Sequence, residues 1–187
     1  MNAFSSIFRY MLTFVVLTVI SQKLGAQQKS ILETVDKHQQ IYPSSCIPSS
    51  IEMILKYNNK VGLNYFNLQH DWKNRNDGSF DYFDGKTING LKFRHRFRNK
   101  RGAGFPLVEL YKTISDELAN RRKVVISLVS GQRMWHIWVI DGIAESGDFV
   151  AYSRDFNNGY TMVIADVKKR VKAMQGTDII TYSSLKK

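Results

Sequence analysis

The residue best suited to nucleophilic chemistry is Cys46, the only cysteine among the 187 residues. It follows an irregular polar stretch and stands two residues before Pro48, where a helical pattern begins. The unpaired N–H groups and positive dipole end of a helix favour the thiolate, the form that attacks carbonyl carbons. Cys46 is therefore a candidate nucleophile. The alternative is a small buried residue without chemical function.

A thiol nucleophile needs a base, and His136 is the best placed of the four histidines because it opens a predicted strand. The base in turn needs a partner that holds its tautomer, and Asp155 ends the next predicted strand. Adjacent antiparallel strands would bring the two side chains together. The alternative for these positions is a core histidine and a turn aspartate.

The elements that must position these residues follow from the spacing of apolar side chains. Ile51, Ile54 and Leu55 form a helical stripe, and Pro48 suits a first helical turn. Short period-two runs separated by turn residues indicate strands in the second half. An early helix before these strands predicts an α+β domain. We expect helices at residues 48–57, 107–122 and 165–174, and strands at residues 91–98, 124–129, 135–143, 149–154 and 178–182.

Two residues near the cysteine add context: Gln40 stands six positions before Cys46, and Pro48 two positions after it. Together with His136 opening a strand and Asp155 ending the next, this order resembles the papain-like cysteine peptidases of the bacteriocin (double-glycine) leader-peptidase type, in particular their free-standing secreted relatives. The resemblance covers roughly residues 40–182. It is poor over residues 60–105, where we expect loops, short helical turns and one strand.

The resemblance implies a papain-like fold, in which an N-terminal helix carries the cysteine and packs on an antiparallel sheet. It implies that Cys46 attacks a peptide carbonyl, that His136 moves the proton and that Asp155 orients His136. The side-chain amide of Gln40 and the Cys46 N–H would stabilise the oxyanion. The expected activity is hydrolysis of a peptide bond through a thioester, by a cysteine peptidase or amidase without a cofactor.

Two residues depart from the family pattern. Ile47 replaces the usual glycine after the cysteine and could crowd the substrate path. Phe156 replaces the usual proline after the aspartate and could alter the loop that aims Asp155. One alternative is therefore a non-catalytic module that binds a peptide or polymer on the same fold. Another is a thiol acyltransferase or transglutaminase-like enzyme, which passes the acyl group to an amine.

The N-terminus has the layout of a secretory signal over residues 1–26, with Arg9, an apolar run over residues 11–20 and a polar end. We expect residues 27–187 to form a single domain, secreted or periplasmic, with no membrane span after signal cleavage. A lone cysteine in an oxidising compartment has no internal disulfide partner, which favours a chemical role.

The net charge of +11 suits an anionic cell-surface polymer in addition to a peptide or protein substrate. Because export is expected, nucleic acid is not an expected partner. In predicted strand 91–98, basic residues would occupy one face, either as an anion-binding groove or as a solvated surface. His38, His70 and His95 lack metal-ligand spacing on a shared helix face, so no metal site is expected.

Overall fold

The computed structural model describes residues 29–73, 75, 78–130 and 135–185, and helices pack on both faces of one antiparallel sheet in it. The predicted α+β class is confirmed at this level. The predicted signal peptide, residues 1–26, lies outside the described residues. None of the helices within these ranges combines the length and apolar composition that crossing a membrane requires.

The sheet is assembled from strands that lie far apart in the chain. Its order is β1-β2-β7-β3-β4-β5-β6, and every neighbouring pair is antiparallel. The strands are β1 (Thr87–Ile88), β2 (Leu91–Arg96), β3 (Val124–Val129), β4 (Trp135–Ile143), β5 (Phe149–Arg154), β6 (Thr161–Ile164) and β7 (Ile179–Ser184). The helices are α1 (Leu32–Asp36), α2 (Cys46–Tyr57), α3 (Asn67–Trp72), α4 (Leu107–Ala119) and α5 (Val167–Ala173), with a 3-10 helix at Phe80–Phe83.

The central strands β3 and β4 are buried on both faces. Val125, Ile137 and Val139 pack in one core with α1 and α2, whereas Ile126 and Ile140 pack in a second core with α4 and α5. Burial on both faces explains why these strands read as nearly continuous apolar runs. His136 lies at the less buried start of β4, directly before the part of the strand that is packed on both faces.

Helix α2 is buried from Ile47 to Tyr57 and packs on β4. It begins at Cys46, two residues before the predicted start, and Pro48 falls in its first turn, where the missing N–H costs no hydrogen bond. Cys46 therefore occupies the start of a helix whose position is fixed on all sides.

The predicted strands at residues 124–129, 135–143 and 149–154 are confirmed residue for residue. Helix α5 and strand β7 agree with the predictions within two residues at each end. Two elements are shorter than predicted, and the backbone turns left-handed one residue after β2 and two residues after α4. Strand β2 ends before Phe97, which has φ 62°, and helix α4 ends before Arg121, which has φ 59°.

The helix that carries Cys46 precedes every strand, as predicted, and the strand predicted at residues 91–98 precedes α4. The structure adds that this strand, β2, pairs with β7, with Phe93 opposite Tyr182. Helices α1 and α3 and strands β1 and β6 were not predicted as elements. Each is six residues or fewer, too short to show a clear period.

Candidate active site

All four sequence-predicted site residues line one cleft of about 470 Å³. Gln40 comes from the loop before α2, Cys46 from the start of α2, His136 from the start of β4 and Asp155 from the end of β5. The remaining lining residues are Pro43, Ser130, Trp135, Phe156, Asn157 and Met162. The fold thus brings together a thiol, an imidazole, a carboxylate and a carboxamide that are distant in sequence.

Burial dominates the ionisation of Cys46 and raises the pKa of its thiol above the ordinary value. The backbone N–H groups of Ile47 and Cys46 act in the opposite direction, as expected at a helix start. They do not outweigh the loss of solvent. The expected thiolate is therefore not the resting form, and the thiol is protonated at neutral pH.

His136 is held by Ser153 rather than by Asp155. Its Nε2 lies 2.7 Å from the Ser153 hydroxyl, which itself donates to the Ile137 carbonyl at 2.8 Å. Because that hydroxyl has a single hydrogen, it can only accept from His136, so Nε2 carries the proton. The Nδ1 atom therefore has a free lone pair, as a general base requires.

Asp155 acts on His136 through its charge and makes no hydrogen bond to it among the described residues. Burial lowers the pKa of His136, and the negative charge of Asp155 opposes that shift. The Asp155 carboxylate instead accepts from the Asn158 N–H at 2.6 Å and closes the turn after β5. The orienting role expected of Asp155 is thus filled geometrically by Ser153.

The Gln40 carboxamide braces the loop that leads to Cys46. Its Nε2 donates to the carbonyl groups of Tyr42 and Pro43, each at 3.0 Å. An amide NH₂ group has two hydrogens, so both are engaged. In this state Gln40 shapes the cleft wall, and donation to an oxyanion requires it to release one of the two bonds.

Gln69, on α3, ties the same loop from beneath and is fully buried. Its Oε1 accepts from the Ile41 N–H at 2.9 Å, with the Ser45 hydroxyl as a second donor 2.7 Å away. Its Nε2 donates to the Glu52 carboxylate at 2.7 Å and the Gln39 carbonyl at 3.0 Å. One carboxamide therefore connects both ends of the loop before Cys46 to helix α2.

The polar interior of α2 continues from Glu52 to Lys56 and His38. Burial raises the pKa of Glu52 to about 7, despite hydrogen bonds from Gln69. Burial likewise lowers the pKa of Lys56 to about 8, although the charge of Glu52 opposes this. Lys56 donates to His38 Nδ1 at 2.9 Å, and His38 Nε2 lies 3.0 Å from the Ser49 hydroxyl. The side chains of Glu52, Lys56 and His38 are almost fully buried and are absent from the lining of the cleft that holds Cys46, so they support the fold of the site.

The two residues that depart from the pattern of the peptidases this sequence resembles, Ile47 and Phe156, differ in burial and in contact with the cleft. Ile47 is 2% exposed and packs in the core beneath α2, and it does not line the cleft described above. Phe156 is 38% exposed and forms part of the cleft wall next to Asp155.

A second depression, of about 520 Å³, surrounds His95 and Arg98. His95 lies between Asp178 and Asp81, at 2.8 and 2.9 Å. Burial alone would lower the pKa of His95, but hydrogen bonds to these two carboxylates outweigh it and raise the pKa. This imidazolium joins β2 to the segment before β7. Across the described residues there is no group of three His, Cys, Asp or Glu side chains suited to a metal ion.

Sequence reasoning missed Ser153 and Gln69. Ser153 had a usable signal, because it stands two residues before Asp155 on a predicted strand and so shares its face. No local sequence pattern indicates Gln69, since its role depends on the packing of α3 against α2.

Comparison of the sequence with protein-family models and with curated proteins finds no match in either. The case for a functional role of the four cleft residues therefore rests on their chemistry and geometry.

We predict that the two partners of His136 have separable effects. Ser153→Ala removes the acceptor of the Nε2 proton, so the imidazole loses its single tautomer, while Ser153→Thr keeps the hydroxyl and the tautomer. Asp155→Asn removes the negative charge that raises the pKa of His136, so this pKa falls further. Nitrogen and proton NMR of the ring measures both. A tautomer change in Asp155→Asn and not in Ser153→Ala would contradict the assignment.

We also predict a stability slope from Glu52. Between pH 4.5 and 7 the unfolded chain has released the Glu52 proton and the folded protein retains it, so the free energy of unfolding falls as pH rises. One group contributes at most about 1.4 kcal/mol per pH unit. Glu52→Gln removes this slope, measured by urea unfolding across the window. Glu109→Gln, on the exposed face of α4, is the control and keeps it. Equal slopes in wild type and Glu52→Gln would refute the prediction.

Proposed function

We propose that the protein is a secreted cysteine peptidase or amidase of the papain-like type that hydrolyses a peptide bond. The observation that carries this proposal is the convergence of Cys46 and His136 in one cleft, with a free lone pair on His136 Nδ1. A nucleophile and a neutral base in one site are the minimum that thiol-based acyl transfer requires.

The fold assignment within this proposal draws on the position of the two groups. A cysteine at the start of a buried helix packed on an antiparallel sheet, with a histidine opening a central strand, is the arrangement that the family resemblance implies. The chain order Gln40, Cys46, His136 and Asp155 agrees with it.

In the acylation step, His136 Nδ1 takes the thiol proton as the Cys46 sulfur attacks the substrate carbonyl carbon. The new bond is S–C. As the tetrahedral intermediate collapses, the C–N bond breaks and His136 gives the proton to the leaving amine. Because the thiol is protonated and the imidazole neutral at rest, the charged pair forms only as the reaction proceeds.

The oxyanion is stabilised by the Cys46 N–H, which the helix start leaves without an intrahelical partner. Gln40 adds a second donor when its amide leaves the Tyr42 or Pro43 carbonyl.

In the deacylation step, water gives a proton to His136 and attacks the thioester carbon. The S–C bond then breaks, and His136 returns the proton to the sulfur.

Two observations favour a second candidate, a non-catalytic module that binds a peptide or polymer. The pKa of the Cys46 thiol is raised rather than lowered, and both amide hydrogens of Gln40 are engaged. In such a module Cys46 would be a protonated cleft residue, and His136 would contribute only hydrogen bonding.

The secreted or periplasmic location remains a prediction from the sequence. An anionic cell-surface polymer also remains a proposed additional partner, and the exposed side chains of Arg94 and Arg96 on β2 would be its contact surface.

We predict that Cys46→Ala abolishes peptide hydrolysis and that His136→Ala lowers it by about 100-fold or more, because the base is lost. Mass spectrometry of the mature protein, after treatment with a peptide-based thiol probe, should show one adduct at Cys46 in wild type and much slower labelling in His136→Ala. Full hydrolysis by Cys46→Ala would refute the enzyme proposal. Labelling that is indifferent to His136 would favour the binding module.

We predict two pH dependences that separate nucleophile from base. Hydrolysis rises with pH as His136 loses its proton, and the midpoint lies below that of an ordinary histidine because burial lowers this pKa. Alkylation of the resting protein by iodoacetamide follows thiolate formation, and its midpoint lies above that of an ordinary cysteine because burial raises that pKa. Alkylation already complete at neutral pH would contradict the neutral resting pair.

A further inference from the structure

Cys46 stands between two depressions, of which the cleft described above is one. The other, here called the side pocket, has a volume of about 300 Å³ and shares Pro43, Cys46 and Trp135 with the cleft. Its remaining lining residues are Ser44, Ile47, Arg75, Gly78 and Ile137. A peptide that reaches the sulfur can therefore extend in two directions.

The chemistry of acyl transfer assigns a direction to each depression. The leaving nitrogen must receive its proton from the base, and His136 lines the cleft but not the side pocket. The leaving side of the substrate thus occupies the cleft. The acyl side, which stays on the sulfur, extends into the side pocket.

The side pocket combines apolar walls with a cation. Trp135, 41% exposed, supplies apolar surface, whereas Ile47 and Ile137 are each only 2% exposed, and none of the lining residues that the structure describes is acidic. The Arg75 guanidinium lies 5.4 Å from the centre of the Tyr82 ring and 5.9 Å from that of Trp72. Among the described residues it pairs with no carboxylate.

A second guanidinium stacks on the Trp135 ring, although it is not among the residues that line the side pocket. Arg101 lies 3.9 Å from the centre of the Trp135 ring, and it too has no carboxylate partner within the described part of the chain. Trp135, 41% exposed, therefore separates cleft from pocket with a cation stacked on it. Among the described residues that line either depression, Asp155 is the only acid, and it lies on the leaving side.

We propose that the side pocket is a specificity site for a glutamate-like side chain on the acyl side of the substrate. Two methylene groups contact the exposed ring of Trp135, and the carboxylate pairs with Arg75. The planar guanidinium suits a carboxylate because it offers two parallel N–H donors. This inference rests on the proposed function, because the direction of the substrate comes from acyl transfer.

The test uses the mature protein and matched peptides that carry Glu, Gln or Lys at one of the two positions before the scissile bond. The same sequences are made as fluorogenic substrates and as vinyl sulfone probes, which label the thiol without turnover. Because Arg75 is exposed, we expect kcat/KM and labelling rate to be about threefold higher for Glu than for Gln, with Lys lowest, as for one solvent-exposed charge pair. The preference should shrink as salt is raised.

Variants of Arg75 test whether this residue causes the preference for Glu over Gln. Arg75→Gln should abolish the difference between Glu and Gln, and Arg75→Glu should invert the order so that Lys is fastest. Lys172→Gln, which removes one positive charge from the exposed face of α5, is the control and keeps the preference. An equal rate for Glu and Gln in wild type, or a preference unchanged in Arg75→Gln, overturns the inference.

The two readouts distinguish this failure from failure of the proposed function. Hydrolysis that requires Cys46 but shows no preference for Glu removes only the specificity site. Selective labelling by the Glu probe without any hydrolysis keeps the specificity site and removes the peptidase activity.

Discussion

The position of the candidate nucleophile depends on how polar groups are satisfied inside the protein. Helix α2 is buried on all sides, yet it carries Glu52 and Lys56 into the interior. A buried carboxylate or ammonium is costly unless it is hydrogen-bonded, and here Gln69 and His38 provide the bonds. Gln69 also holds the loop before Cys46 through the Ile41 N–H. The hydrogen bonds that offset the cost of burying Glu52 therefore also fix the loop that forms one wall of the cleft.

Burial also decides the electrostatic state of the site. A helix start attracts a thiolate, but that attraction is limited to a few N–H groups and falls off within the first turn. Removal of solvent opposes charge on both reacting groups, so it raises the pKa of Cys46 and lowers that of His136. A neutral pair follows. In the proposed mechanism, such a pair yields the thiolate only when a substrate and the oxyanion donors compensate the charge separation.

The parts of the fold that the sequence predicts well are those whose local pattern and burial agree. Strands β3 and β4 lie between two cores, so their apolar runs stand out, and their bounds were predicted without error. The region from residue 60 to 105 behaves differently. Its strand β2 pairs with β7, some ninety residues later, and its α3 is six residues long. Contacts between residues so far apart in the chain leave no local period in the sequence. For the same reason Gln69 could not be recognised. Ser153, in contrast, could have been predicted from strand alternation, because it lies two residues before Asp155.

The division of labour between Ser153 and Asp155 follows from what each group can offer the imidazole. A hydroxyl that already donates to a carbonyl fixes the tautomer, but as a neutral dipole it stabilises an imidazolium only weakly. Asp155 has the charge to do so, although its carboxylate is engaged in a turn and acts on the ring across space. Coulomb interaction over such a gap is substantial only where water is excluded. In the proposed reaction a substrate that fills the cleft would exclude water, so the charge of Asp155 would stabilise the imidazolium most when the reaction forms it.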